Sequence, residues 1–234
     1  MLKNLTSLLL ADDRFVACKD ALRDGKTVVL DRIWGSSCAL AVAALTTEAL
    51  TTELSGRGTG QHGTMIVVLK NQDEAERTAD DLALFTDLSV ATFPALDDIE
   101  MPLRVSDEQF GDRIRILKML AGDTQRRDSI IVTSIAALLQ PVPPIEMLRE
   151  RTRHLKVGGT LDQKELARWL VDGQYHATSG VELPGEYAIR GSIVDIFAPD
   201  WDMPVRVEFF GDEIESIRRF EVAGQRSLET LNEI

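Results

Sequence analysis

The chain has 234 residues, 44% hydrophobic and 27% charged, a balance that supports a sizeable core without disulfide or metal staples. Its net charge is −12, with 15 basic and 22 acidic side chains in residues 1–148 and 11 basic and 16 acidic in 149–234, so neither part has the basic surplus of a phosphate-backbone binder. Cys18 and Cys38 lack metal or redox spacing and read as buried small hydrophobes of a reducing cytoplasm, and no apolar run approaches the roughly 18 residues of a membrane span.

The opening MLKNLTSLLLADDRF is expected to form an amphipathic helix, not a signal peptide, because it runs into charge without a small-residue cleavage site. Residues 14–24 read as a second helix. Thr27–Asp31 (TVVLD) reads as a short apolar strand, followed by a long Ala-rich helix over Gly35–Leu54. Thr64–Leu69 (TMIVVL) is a second buried strand. Asn71 with Glu74 forms a capping box for a helix reaching Phe85. Ser89–Phe93 is the next strand. Ser106–Gln109 is a second capping box, opening a helix through Ala121. Ser129–Thr133 (SIIVT) is a fourth strand and Ser134–Leu139 a short helix. Strands apolar throughout and separated by helices predict a parallel sheet covered on both faces.

Gln140–Pro144 holds three prolines, which neither a helix nor a central strand tolerates. A domain boundary is therefore expected near residue 148. Beyond it, Arg153–Val157 reads as a strand, and Thr160–Gln163 as a third capping box ahead of a helix from Leu161 to Val171. Strands follow at Tyr175–Thr178, Glu186–Phe197, Val205–Phe210 and Glu213–Phe220, the last two joined by a Gly211-Asp212 turn. One helix and then a run of strands predicts a small α+β domain with an antiparallel sheet.

Several patterns resemble chemical motifs and fail on context. Gly58–Gly63 matches GxGxxG, but it precedes a strand where a dinucleotide fingerprint must follow one. The turn Trp34-Gly35-Ser36-Ser37-Cys38-Ala39 sits where a phosphate-binding loop belongs, between a predicted strand and a helix N-terminus. Aligned to that loop, Cys38 replaces the phosphate-binding Lys and Ala39 the magnesium-binding hydroxyl. Gly35, Ser36, Ser37, Cys38 and Ala39 are therefore expected to form a degenerate, inactive loop with no cofactor. His62, His154 and His176 have no metal spacing. Asp97-Asp98 and Asp212-Glu213 fit turns. The clusters Arg149–Lys156 and Arg113–Arg127 read as charged helix faces and boundary solvation.

The segment GEYAIRGSIVDIFAPDWDMPVRVEFFGDEIESIRRF reads as a protein-docking surface. Along PVRVEFF, Val205, Val207 and Phe209 point to a core, while Arg206, Glu208 and Phe210 point away. A Phe beside Arg and Glu on an outward face has the composition of an interface hot spot. In EYAIRGSIVDIF, read as one strand, Tyr187, Ile189, Ile193 and Phe197 alternate with Ala188, Arg190, Ser192 and Val194.

The combination RGxxxDxF, RxEFFGDEIxSIRxF and QRSL is similar to the second domain of the UvrB homology module in the bacterial transcription-repair coupling factors (Mfd). It is slightly less similar to that domain of UvrB. The remainder resembles the first domain of the same module, including its degenerate phosphate loop. The resemblance implies an α/β chain: a degenerate RecA-like, nucleotide-binding-like domain over residues 1–148, then a UvrA-binding α+β domain over 149–234. It implies that UvrA, the damage-recognition ATPase of nucleotide excision repair, docks on Arg190, Arg206 and Phe210, which match the family's contact positions. It also implies a non-enzymatic, cytoplasmic fragment of a DNA-translocating protein, whose polymerase and DNA contacts lie in domains beyond this sequence and whose UvrA face is covered at rest. The alternative is a UvrB-like nucleotide-dependent repair subunit that binds ATP or DNA. Against it, the stretch Phe93–Phe110 has no tyrosine cluster to wedge into damaged DNA.

Overall fold

A computed structural model of the protein describes residues 2, 4–49, 63–97, 107–122 and 129–234. The chain divides into two compact units, Met1–Ala95 with Thr124–Gln140, and Leu96–Asp123 with Pro141–Ile234.

The first unit opens with α1 (Asn4–Leu10), α2 (Asp13–Arg23) and α3 (Ser36–Ala49). Asp12 caps α2 by accepting from the amides of Arg14 and Phe15. Then come β1 (Thr64–Leu69), α4 (Gln72–Phe85) and β2 (Ser89–Phe93). The chain leaves for α5 (Glu108–Ala121), part of the second unit, and returns as β3 (Ser129–Ser134) and α6 (Ile135–Leu139). The three strands form a parallel sheet in the order β1-β3-β2. The central strand β3 is buried at every position, which is why its sequence is an unbroken apolar run instead of an alternation. Ile130 and Val132 pack against Ala39 and Ala43 of α3 and Ala75, Leu82 and Phe85 of α4. Small residues on α3 let the helix come close.

Local chemistry agrees with the sequence at α4, where the Asn71 side chain accepts from the Glu74 amide at 2.9 Å, and at α6, where Ser134 caps through the Ala137 amide. It differs at Thr27–Asp31, which is not a strand. Val29 is 84% exposed, and Leu30 packs with the helical cluster of Phe15, Ala41 and Ala44. A three-residue apolar run carries no period that separates strand from tether, and a strand needs a neighbour to pair with. The helix after it ends at Ala49 in the described residues and begins one residue later than predicted.

The second unit takes α5 and adds α7 (Ile145–Glu150), α8 (Gln163–Asp172), β4 (His176–Ala177), β5 (Glu186–Arg190), β6 (Ile193–Phe197), β7 (Val205–Phe210), β8 (Glu213–Phe220) and β9 (Ser227–Leu231). The six strands run in sequence order across one sheet, antiparallel except for the β4–β5 pair. One face carries the main core: Tyr187, Val194, Ile196, Val205, Val207, Phe209, Ile214 and Ile217 against Leu166 and Leu170 of α8, with Leu155. Leu166, Trp169 and Leu170 fall three and four residues apart, the spacing that lines one helix face. Gly111 of α5 admits the Pro199 carbonyl so closely that a Cβ would lie 2.0 Å from its oxygen.

Helix and strand boundaries differ from those predicted at four places. Asp107 caps α5 through the Gln109 amide and Asp162 caps α8 through the amides of Lys164 and Glu165, displacing Thr160 from that role; Ser106 lies outside the described residues. Aspartate two residues nearer the helix presents its carboxylate to the same orphan amides. Arg153–Val157 is not a strand: its Leu155 and Val157 amides donate to Ile234 and Asn232 carbonyls before Gly158, at φ 79°, turns the chain away. The expected single strand Glu186–Phe197 is two, β5 and β6, folded back at Gly191-Ser192 with Gly191 at φ 62°.

Candidate functional site

The hairpin at Gly191 reverses the parity read from the sequence. Ala188 pairs with Asp195 and Ile189 with Val194. Phe197 therefore lies on the face of Ala188, not with Tyr187, and Val194 and Ile196 join the main core. A two-residue turn offsets the two arms by one position, so a continuous alternation assigns the second arm to the wrong side. In β7 the alternation holds: Val205, Val207 and Phe209 are buried, and Arg206, Glu208 and Phe210 are less so, becoming fully exposed at Phe210. The extra residue at the β7–β8 irregularity falls on β8, at Glu215, so the parity of β7 survives it.

The outer face of this sheet is half apolar and half charged. Val181, Ala188, Phe197 and Phe220 form a small buried cluster, with Trp201 and Val222 packed against it. Beside them, Ala188, Asp195, Arg206 and Arg218 stand opposite one another across β5, β6, β7 and β8. The Asp195 carboxylate is completely buried. Its Oδ1 accepts from Nε of Arg206 at 2.7 Å and its Oδ2 from Nη2 of Arg206 at 2.9 Å. The same Oδ2 accepts from Nη2 of Arg190. Arg206 also donates from Nη2 to the Gln225 side chain at 3.1 Å, and its guanidinium lies 4.7 Å from the Phe220 ring centroid. The hydrogen bond to Asp195 holds the Arg206 guanidinium above its ordinary pKa, against the effect of burial.

One row along, Glu208 accepts from the Ser216 hydroxyl at 2.7 Å and from Arg218. The Ser216 bond first, and Arg218 after it, hold this carboxyl below its usual range although burial opposes them. Arg190, Asp195, Arg206, Glu208 and Arg218 thus make an alternating ladder of three cations and two anions. Phe210 stands at the end of the same face, 79% exposed. Four strand positions separate it from Arg206, about 13 Å at the ordinary rise per residue. The sequence-predicted residues Arg190, Arg206 and Phe210 therefore share a face, with the two arginines joined through one carboxylate and the phenylalanine set apart from them.

Asp195, Phe220 and Gln225 enter the sequence analysis only as letters of the family motifs, with no role assigned to them. Asp195 had a visible signal: an acidic residue inside the apolar run IVDIF stays buried only if it is paired.

The Trp34–Ala39 turn leads into a helix as expected, without the expected strand before it. Gly35 has φ 57°. The Ser37 hydroxyl accepts from the Trp34 amide at 3.1 Å and donates to the Trp34 carbonyl at 2.6 Å, closing the turn on itself. Residues 31–37 are exposed, Cys38 is half-buried and Ala39 is buried in the α3–α4 core. Cys18 and Cys38 are both free and half-buried, less enclosed than expected.

Members of both basic clusters are engaged in ion pairs. Arg115 contacts Asp112 and Asp202 at 3.1 Å each, Lys118 meets Asp200 at 2.7 Å, and Arg113 is buried. Arg153 pairs with Glu165 and lies over the Trp169 ring. His154 and His176 are exposed. Among the described residues no three His, Cys, Asp or Glu side chains gather as a metal site, and no helix is long and apolar enough to cross a membrane. Gly58–His62 and the middle of Phe93–Phe110 lie outside the described residues.

Comparison with known proteins places this face in a family. Residues 154–234 match the family model described as the UvrB interaction domain. The whole chain is similar to the transcription-repair-coupling factor of Bacillus subtilis (strain 168), 30% identical over 234 residues that cover 99% of this chain and 19% of that protein. The factor of Myxococcus xanthus is 41% identical over 104 residues, 44% of this chain and 9% of the relative. That of Mycobacterium tuberculosis is 37% identical over 175 residues, 72% of this chain and 14% of the relative. The chain therefore spans at most about a fifth of the length of these three relatives. Residues 154–234 thus carry a UvrB interaction domain, and the chain as a whole is similar to a stretch of the transcription-repair-coupling factors, which supports its identification as an N-terminal module of such a factor.

Proposed function

We propose that the chain is a docking module for UvrA, and that it serves to bring nucleotide excision repair to stalled RNA polymerase. In this reading residues 149–234 are the docking domain and 1–148 a degenerate nucleotide-binding-like domain. The module works in the cytoplasm and catalyses nothing itself. RNA polymerase and DNA are engaged by parts of the longer relatives that do not align with this chain.

The observation that carries the reading is the outer face of the UvrB interaction domain. It joins a guanidinium cluster organised by a buried carboxylate to a phenylalanine that is 79% exposed. An exposed aromatic on the same face as arginines is the composition of a binding hot spot, with an acidic and apolar counterpart. The nucleotide-dependent alternative is less favoured, because the Ser37 hydroxyl is committed to Trp34 and the position of the phosphate-binding lysine is Cys38.

The test is UvrA affinity. Arg190→Ala and Phe210→Ala are each expected to weaken binding at least about tenfold, with unchanged circular dichroism. Wild-type affinity in both variants overturns the proposal.

A further inference from the structure

We propose that Asp195 is the positioning residue of this face, and that its two arginines have different tasks: Arg206 is an internal strut, and Arg190 is the cation offered to an acidic group of the partner. The inference rests on the docking reading above and deepens it.

The two guanidiniums differ in what they have left to give. Arg206 is 17% exposed and has spent Nε and Nη2 on Asp195, with Nη2 shared with Gln225. Its flat face rests on Phe220. Arg190 is 50% exposed and touches Asp195 through Nη2 alone. Among the described residues, no partner holds its Nε or Nη1. A carboxylate arriving from solvent therefore finds open donors on Arg190 and meets Arg206 mainly as a fixed positive background.

Asp195 supplies the order. Among the described residues it is the one anion touching both arginines, and it bridges β5 to β7 from the strand between them. Arg206 also faces Arg218 directly across β7 and β8, a like-charge pairing that is unfavourable unless each member has its own anion. Glu208 serves Arg218, and Asp195 serves Arg206. Removing the Asp195 charge releases Arg190 from its anchored pose and leaves Arg206 without its grip.

This separates positioning from simple charge. Asp195→Asn raises the positive charge of the face by one. If the face acted only by attraction, an acidic partner would bind the variant more tightly and with steeper salt dependence. Positioning predicts the opposite.

The experiment is a double-mutant cycle on UvrA binding, using the whole chain with Asp195→Asn, Arg190→Ala and both together. Asp195→Asn is expected to weaken binding about fivefold or more, and to add little further loss in the Arg190→Ala background. Equal or tighter binding by Asp195→Asn, or full additivity with Arg190→Ala, overturns the inference while leaving docking intact. Undiminished binding by Arg190→Ala and Phe210→Ala overturns the docking reading and this inference with it. If Asp195→Asn does not fold, Arg206→Lys replaces it: the charge is kept and the two-point grip on the carboxylate is lost. Weaker binding at equal net charge supports positioning, and wild-type binding refutes it. Side-chain Nε–H NMR of the free chain gives a readout independent of the partner. The Arg206 signal should be slow to exchange and lost in Asp195→Asn, and the Arg190 signal fast. The reverse order would sink the assignment of roles.

Discussion

Asp195 on β6 and Arg206 on β7 are direct cross-strand partners, and the guanidinium grips the buried carboxylate at two points, 2.7 and 2.9 Å. The pair is structural before it is anything else. Arg206→Ala leaves a buried carboxylate with Arg190 as its remaining cation, and should cost about 3 kcal/mol or more. Replacing both, as Asp195→Leu with Arg206→Met, should cost less than Arg206→Ala alone, because no buried charge is left behind. Urea denaturation of the three chains checks the order. Loss of UvrA binding in Arg206→Ala will therefore contain a folding component, which makes Arg190→Ala the cleaner probe of contact.

Glu208 ties stability to acid pH. Its folded pKa is held below the unfolded value, first by the Ser216 hydroxyl and then by Arg218. A depressed carboxyl contributes stability above its unfolded pKa of about 4.3, and that stability drains as pH falls through the lower folded value. The gap in melting temperature between wild type and Glu208→Gln should be constant near neutrality and close below that pH. Melts from neutral pH down into the acid range below the unfolded pKa measure it, and a gap that persists unchanged in acid would count against the Ser216–Arg218 arrangement.

Gly191 makes the β5–β6 hairpin at φ 62°, and a Cβ there would meet nothing within 4 Å. The cost of Gly191→Ala is then purely the left-handed backbone, about 1 kcal/mol. Gly191→Asn should cost less, since Asn tolerates that region. Denaturant midpoints decide between this and a turn of different conformation, in which Gly191→Ala would be neutral.

The Trp34 turn should bind no nucleotide. Calorimetry with ATP and magnesium is expected to be flat, and Trp34, 75% exposed beside the loop, should keep its fluorescence. Trp34→Phe isolates its signal from those of the other two tryptophans. Micromolar, magnesium-dependent binding would revive the nucleotide-dependent alternative.

Much of the fold was legible because it is local. The strands at 64–69, 89–93 and 129–134 announce themselves as apolar runs between helices. Asn71 caps α4 with a side chain three residues from the amide it meets. Val205, Val207 and Phe209 show their buried side by alternation alone. What failed was pairing over distance. Thr27–Asp31 has strand composition and, among the described residues, no strand to join. Ser227–Leu231 looks unremarkable and becomes β9 because β8 offers it an edge. At Gly191-Ser192 one turn inverted the assignment of every residue after it in that run.

The outer face of the antiparallel sheet divides in the same way. The sequence by itself determined its family motifs, the outward parity of Arg206, Glu208 and Phe210, and the placing of a thiol and a methyl at Cys38 and Ala39 where a phosphate loop has a lysine and a hydroxyl, since each depends on residue identity and short spacing. Only the tertiary structure decided that Arg190 and Arg206 share the Asp195 carboxylate, that Arg206 is enclosed while Arg190 is open, and that Phe210 stands apart from both. Those facts depend on which strands become neighbours and in what register, and the free energy that selects a register comes from burying one whole face of the sheet, not from any residue on the other.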